Sequence, residues 1–161
     1  ATLEEATLEL RHPCLHEGFN KTYSGPSTSA LPHGRVHLIG APDWAACDQL
    51  AAEVVNASAP CPPGTPPGGG PCALGALQPH PRGKFFALSG FYVVFHFFDL
   101  PEGAGVEALL GAGRAHCAKS WAQLEADTQD VKNLDRYCFR VPYVMHLLRN
   151  GLGVLDSQLH L

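Results

Sequence analysis

Apolar positions along this chain fall into short patches separated by glycine and proline, and each patch carries a period that predicts an element. Arg35 to Gly40 (RVHLIG) alternates weakly and reads as a short strand. Ala41-Pro42-Asp43 then reads as a helix start, with Asp43 placed to cap. Trp44, Cys47, Leu50, Ala51, Val54 and Val55 recur at helical spacing, which carries that helix to about Val55. Lys84 to Ser89 (KFFALS) predicts a buried strand, broken by Gly90. Phe91 to Phe98 predicts a short helix, although its aromatic and β-branched residues also suit a strand, and Asp99-Leu100-Pro101 ends it. Val106, Leu109, Leu110, Gly113, Cys117, Trp121 and Leu124 share one helical face over about five turns, the strongest periodic signal in the chain. A last helix is predicted from near Val141-Pro142, with proline in its first turn, to Asn150-Gly151. The pattern is α/β: three to four helices on a few short strands.

Residues Ala59 to Gly83 form one Pro/Gly-rich, low-complexity stretch between a front segment and a more apolar back segment, and no internal repeat is present. The chain of 161 residues suits a single domain. Its charged share is 16%, against about a quarter in ordinary globular domains. Together with 17 Gly and 14 Pro, this excludes a coiled coil, a charged disordered tail and a helical bundle. Eleven basic residues against 15 acidic ones give a net charge of −4, with no clustered cations, so nucleic acid is not an expected partner. The most apolar stretch, Phe85 to Phe98, is shorter than the ~20 residues that cross a bilayer and contains Ser89, Gly90 and His96. The start, ATLEEATLELRH, is acidic and lacks the apolar core of a signal peptide.

Cysteines 14, 47, 61, 72, 117 and 138 include no C-x-x-C pair, which disfavours zinc ribbons and thioredoxin-like redox motifs. An even count reads as three disulfides, for which 15 pairings exist. The simplest joins neighbours: Cys14–Cys47, Cys61–Cys72 and Cys117–Cys138. Each loop so closed would stabilise by roughly 3–4 kcal/mol before strain is subtracted. Asn20-Lys21-Thr22 and Asn56-Ala57-Ser58 are glycosylation sequons, and with the cysteines they point to a lumenal or extracellular compartment.

Catalytic chemistry is harder to find. His12-Pro13-Cys14-Leu15-His16 places three possible ligands close together, but Pro13 opposes a helix and Cys14 is expected to be paired, so no metal site is expected there. His16-Glu17 lacks the second histidine of a zinc-protease motif, and His33 and His37 read as solvated. Ser89 lacks the glycine of a nucleophile elbow, and Gly68-Gly69-Gly70 is not followed by Lys-Ser/Thr. Gly111-Ala112-Gly113 lies within a predicted helix and reads as a close packing contact. His116-Cys117 are helical neighbours that do not face each other. Composition and spacing alone show no catalytic centre.

Five ordered segments nevertheless resemble the apyrase (GDA1/CD39) family of nucleoside phosphatases. They are His12-Pro13-Cys14-Leu15-His16-Glu17-Gly18-Phe19, Leu38-Ile39-Gly40-Ala41-Pro42-Asp43-Trp44-Ala45-Ala46-Cys47, Cys72-Ala73-Leu74-Gly75 with Gln78-Pro79, Gly83 to Val94, and Tyr137-Cys138-Phe139-Arg140-Val141-Pro142-Tyr143. The set spans nearly the whole chain and looks closest to the plant subgroup. The resemblance implies two actin-like (RNase H-type) lobes, with residues 1–161 an internal part of the C-terminal one and 59–83 a disulfide-closed loop. It also supports the neighbour pairing of the cysteines. It implies hydrolysis of nucleoside tri- and diphosphates by an activated water, with Ca²⁺ or Mg²⁺ and the glycine-rich phosphate loops outside these residues. Its implied partners are the nucleotide, the N-terminal lobe of the same protein and, for the parent, a membrane anchor. Its implied location is the Golgi lumen or the cell surface.

In some animal members an aromatic and an arginine sandwich the nucleobase. Aligned on the motifs, those positions fall at Val93 and near Asn133, and another base-side arginine falls at Glu17. All three depart from the animal pattern. Phe91 or Tyr92, beside Gly90, would supply the aromatic face instead, or both are packing residues. The alternative reading is a non-catalytic, secreted, disulfide-stapled binding or structural module.

Overall fold

The computed structural model describes residues 7–29, 34–57, 74, 81–86, 88–128 and 131–160. The front segment builds a three-stranded sheet. Its middle strand β3 (Arg35–Gly40) matches the expected strand and runs parallel to β1 (Leu8–His12) and antiparallel to β2 (Asn20–Ser24). Leu8 lies opposite Val36 and His12 opposite Gly40, while Asn20 lies opposite Ile39. The two outer strands carry no such signal in the sequence: their residues are mostly exposed, so they lack the half-buried alternation that marks a strand. α1 (Trp44–Ala57) follows as expected, and Asp43 Oδ1 accepts the Ala46 N–H at 3.0 Å.

The back segment departs from expectation at three places. The strand expected over Lys84 to Ser89 is only β4 (Phe85–Phe86), paired in parallel with β5 (Leu159–His160). Its partner offers just two residues, and the chain turns at Ser89 (φ 54°) into α2 (Gly90–Phe97). Phe86 and Leu88 are 73% and 72% exposed, so this is no buried strand. The five-turn apolar face is carried by two helices, α3 (Val106–Cys117) and α4 (Trp121–Asp127), which makes five helices in all among the described residues. Ser120 restarts the helix: its Oγ accepts the Gln123 N–H at 3.3 Å, and Gln123 Oε1 accepts the Ser120 N–H at 2.9 Å. The last helix, α5 (Tyr137–His146), begins a turn earlier than Val141-Pro142, after a 3₁₀ turn at Leu134–Arg136, and ends in a π turn at Leu147–Gly151. Pro142 therefore sits inside it and removes one ladder hydrogen bond, a loss offset by its complete burial.

The core gathers around α5, which contacts α1, α2 and α3. Val94, Phe95, Leu109, Val141, Val144 and Leu148 form the main buried cluster. Gly113 explains how closely α3 approaches α5: a Cβ there would lie 2.6 Å from Val141 Cγ1. Within the Gly111-Ala112-Gly113 run it is thus Gly113 that makes the packing contact, while a Cβ at Gly111 would meet nothing within 4 Å. Cys14–Cys47 ties the loop after β1 to α1, and Cys117–Cys138 ties the end of α3 to α5. The four cysteines belong to one buried cluster. Cys61 and Cys72, with most of 59–83, lie outside the described residues. No helix among the described residues is long and apolar enough to cross a membrane.

Candidate functional site

The start of α2 is aimed by a strained residue. Ser89 carries φ 54° without being glycine, and conformations of this kind concentrate where a site over-determines the backbone. Ser89, Gly90, Phe91 and Val93 line one wall of a cavity of about 490 Å³. Arg140, Tyr143, Val144 and Leu147 of α5 and its π turn line the other. Arg140 and Tyr143 also border an apolar cavity of about 600 Å³ against β1, β3 and α1. The Arg140 guanidinium lies over the Tyr137 ring, 4.8 Å from its centroid, and Tyr143 stacks on Phe139 at 5.5 Å. The α2 cavity, apolar with one cation and the rings of Phe91 and Tyr143, suits a flat, polarisable group.

The sequence-predicted positions divide into two groups. Gly90, Phe91 and Val93 line the α2 cavity. Tyr92, 54% exposed beside them, stacks on His96 with centroids 5.4 Å apart. Val93 is 45% exposed and Phe91 half-buried against the core. Glu17 and Asn133 gather instead around Trp121. The Glu17 carbonyl accepts the Trp121 N–H at 2.9 Å, and Asn133 and Trp121 line a different, polar cavity of about 530 Å³. Asn133 has φ 59°, a left-handed conformation that asparagine tolerates. No cavity among those described takes both groups. Arg140 and Tyr143 escape sequence reasoning. Their spacing of three residues on a helix, beside the Tyr-Cys-Phe motif, is the available signal. Asn20, the first sequon, is exposed at the start of edge strand β2, and Asn56 falls in the last turn of α1.

One cluster of metal-ligating side chains occurs among the described residues: His16, His116 and Cys138, with ligand atoms all within 4.8 Å of one another. It differs from the His12–His16 run, where His12 Nδ1 accepts the Cys14 N–H at 3.1 Å and Cys14 is bonded to Cys47. Burial holds the His12 and His16 imidazoles below their ordinary range. His116 is pushed down to about 4, first by burial and then by the neighbouring charges of His16 and Lys119. Nitrogen and disulfide sulfur do not fit Ca²⁺ or Mg²⁺, which take oxygen ligands.

The sequence matches the GDA1/CD39 (nucleoside phosphatase) family over residues 1–161. It is 37% identical over 167 residues to "Probable apyrase 7" of Arabidopsis thaliana, covering 98% of this chain and 23% of that protein. It is 31% identical over 164 residues to mouse (Mus musculus) "Ectonucleoside triphosphate diphosphohydrolase 1", covering 92% of this chain and 31% of the relative. Human (Homo sapiens) "Ectonucleoside triphosphate diphosphohydrolase 8" is 31% identical over 160 residues, with the same two coverages of 92% and 31%. The chain thus spans about a quarter to a third of the length of these relatives.

Proposed function

The chain belongs to the GDA1/CD39 (nucleoside phosphatase) family, and from that membership we propose that it is part of an apyrase-type phosphohydrolase. The proposed reaction converts nucleoside tri- and diphosphates to monophosphate and phosphate, with water as nucleophile. The observation that carries this reading is the family match along all of 1–161, supported by relatives named apyrase and ectonucleoside triphosphate diphosphohydrolase. Phosphoryl transfer to water rests on charge neutralisation and positioning rather than covalent chemistry. In this reading the Ca²⁺ or Mg²⁺ such a reaction uses, a cation that takes oxygen ligands, is held outside this chain, which supplies no catalytic residue.

Its part is to bind and orient the base. Phe91 and Val93 line the α2 cavity, the exposed Tyr92 ring lies between them in the chain and stacks on His96, and Arg140 and Tyr143 line the opposite wall from α5. A nucleobase there would be held by stacking and by the guanidinium, with its phosphates extending towards the N-terminal lobe of the same protein. Asn133 lines a separate polar cavity with Trp121, whose backbone N–H the Glu17 carbonyl accepts. The disulfides and the exposed Asn20 suit the lumen of the secretory pathway or the outer cell surface, with glycans on Asn20 and Asn56.

Phosphate release tests the proposal. This chain alone should release none from ATP, GDP or UDP with Mg²⁺ or Ca²⁺, whereas the full-length protein containing it should. A correctly oxidised full-length protein inactive on all three would overturn the reading, and so would turnover by the chain alone.

A further inference from the structure

Three segments far apart in the chain meet around Cys138: the loop after β1 brings His16, the end of α3 brings His116 and Cys117, and the start of α5 brings Cys138 itself. His16 is wholly buried, and its Nδ1 lies 2.9 Å from the Lys119 carbonyl oxygen. A carbonyl only accepts, so Nδ1 carries the proton and donates it. That fixes the tautomer and leaves the Nε2 lone pair free, 3.1 Å from Cys138 Sγ. The His116 ring stands edge-on to His16 at 5.0 Å, and His116 Nε2 is buried without a hydrogen-bond partner among the described residues. A buried, unpartnered ring nitrogen is costly, and a second group normally satisfies it.

We infer that opening the Cys117–Cys138 bridge creates a His₂Cys site, built from His16, His116 and Cys138, for a borderline-soft divalent cation of the zinc class. The step balances with a dithiol reductant. The protein disulfide gains two electrons and two protons and becomes two thiols, while the dithiol loses the same and closes to its own disulfide. The incoming cation then displaces the proton of Cys138, and Cys117 is left as a nearby fourth donor. In the bridged protein Cys138 has no thiolate to offer, so the site exists only in the reduced state. Nitrogen and thiolate donors select zinc over calcium or magnesium. His16 already has the contact that orients a zinc-bound histidine, its remote N–H held by a backbone carbonyl. Metal and bridge therefore compete for one sulfur. This inference does not rest on the nucleotide reading.

Cobalt(II) reports the site directly. The full chain, treated with a dithiol that is then removed anaerobically, should take up one Co²⁺ with a thiolate-to-cobalt charge-transfer band that Zn²⁺ abolishes. The oxidised chain should show none. C117S, which leaves Cys138 as a free thiol without any reductant, should behave like the reduced chain. H16Q and H116Q should each weaken binding about tenfold or more, and C138S should remove the band. A second measurement needs no stable reduced fold: during refolding with a disulfide oxidant, Zn²⁺ should slow closure of Cys117–Cys138 and shield Cys138 from alkylation. Absence of the band in both the reduced chain and C117S, an undiminished band in the H16Q/H116Q double variant, or no effect of Zn²⁺ on bridge closure would overturn the inference.

Discussion

Gly40 closes β3 where there is no space for a side chain: a Cβ there would fall onto the carbonyl of His16. Gly40→Ala is expected to destabilise by about 3–5 kcal/mol, because rigid backbone would have to move, and urea denaturation measures the loss. The sequence shows that glycine as a strand terminator. The approach of His16, 24 positions away in the chain, is a tertiary fact with no local trace. Tyr23 gives a pH prediction. Its hydroxyl donates to Asp135 Oδ2 at 2.8 Å, and burial, with this bond and the Asp135 charge, raises it to about 12. The folded protein keeps the phenolic proton longer than the unfolded chain, whose tyrosine titrates near 10. The Tyr23 contribution is thus complete below about pH 10 and is lost as pH rises towards 12. Denaturation curves of Tyr23→Phe should lie about 1 kcal/mol below those of the unaltered chain near neutrality and converge with them in that alkaline window. At the proposed base face, Tyr92→Ala should raise KM for ATP several-fold in the full-length protein with kcat little changed. Val93→Phe, which adds a ring at the cavity mouth, should lower it, stacking being worth about 1 kcal/mol or more. Steady-state kinetics separates the two effects.

Among the elements, α1 and β3 are legible because each carries its own signals: Asp43 caps, and the apolar spacing persists across the helix. The α3–α4 break is hidden because both helices turn apolar residues to the interior, so Leu109, Cys117 and Leu124 keep a common period across the gap. Ser120 with Gln123 is the legible sign, a capping box inside an apparent helix. Ser120→Ala should cost about 1 kcal/mol and lower the thermal midpoint, since it removes the side-chain acceptor that starts α4. β1 and β2 are hard to read because a sheet face left open to solvent imposes little pattern on its strands. The candidate site is half legible. The α2 residues lie in one run, whereas Arg140 and Tyr143 join them only through the packing of α2 on α5.

For the whole molecule, two of the expected bridges are present among the described residues: one ties the loop after β1 to α1, the other ties α3 to α5. Their arrangement bears on biosynthesis. Among themselves these four cysteines could pair in three ways, and here all four belong to one buried cluster against which Trp44, Leu50 and Phe139 pack. Proximity by itself does not choose among the three. Selection falls to the strands and helices that set each sulfur's direction, so the surrounding architecture must form before the right crosslinks can. A nascent chain would then profit from reversible exchange, with early partners swapped until α5 docks and fixes the last of them.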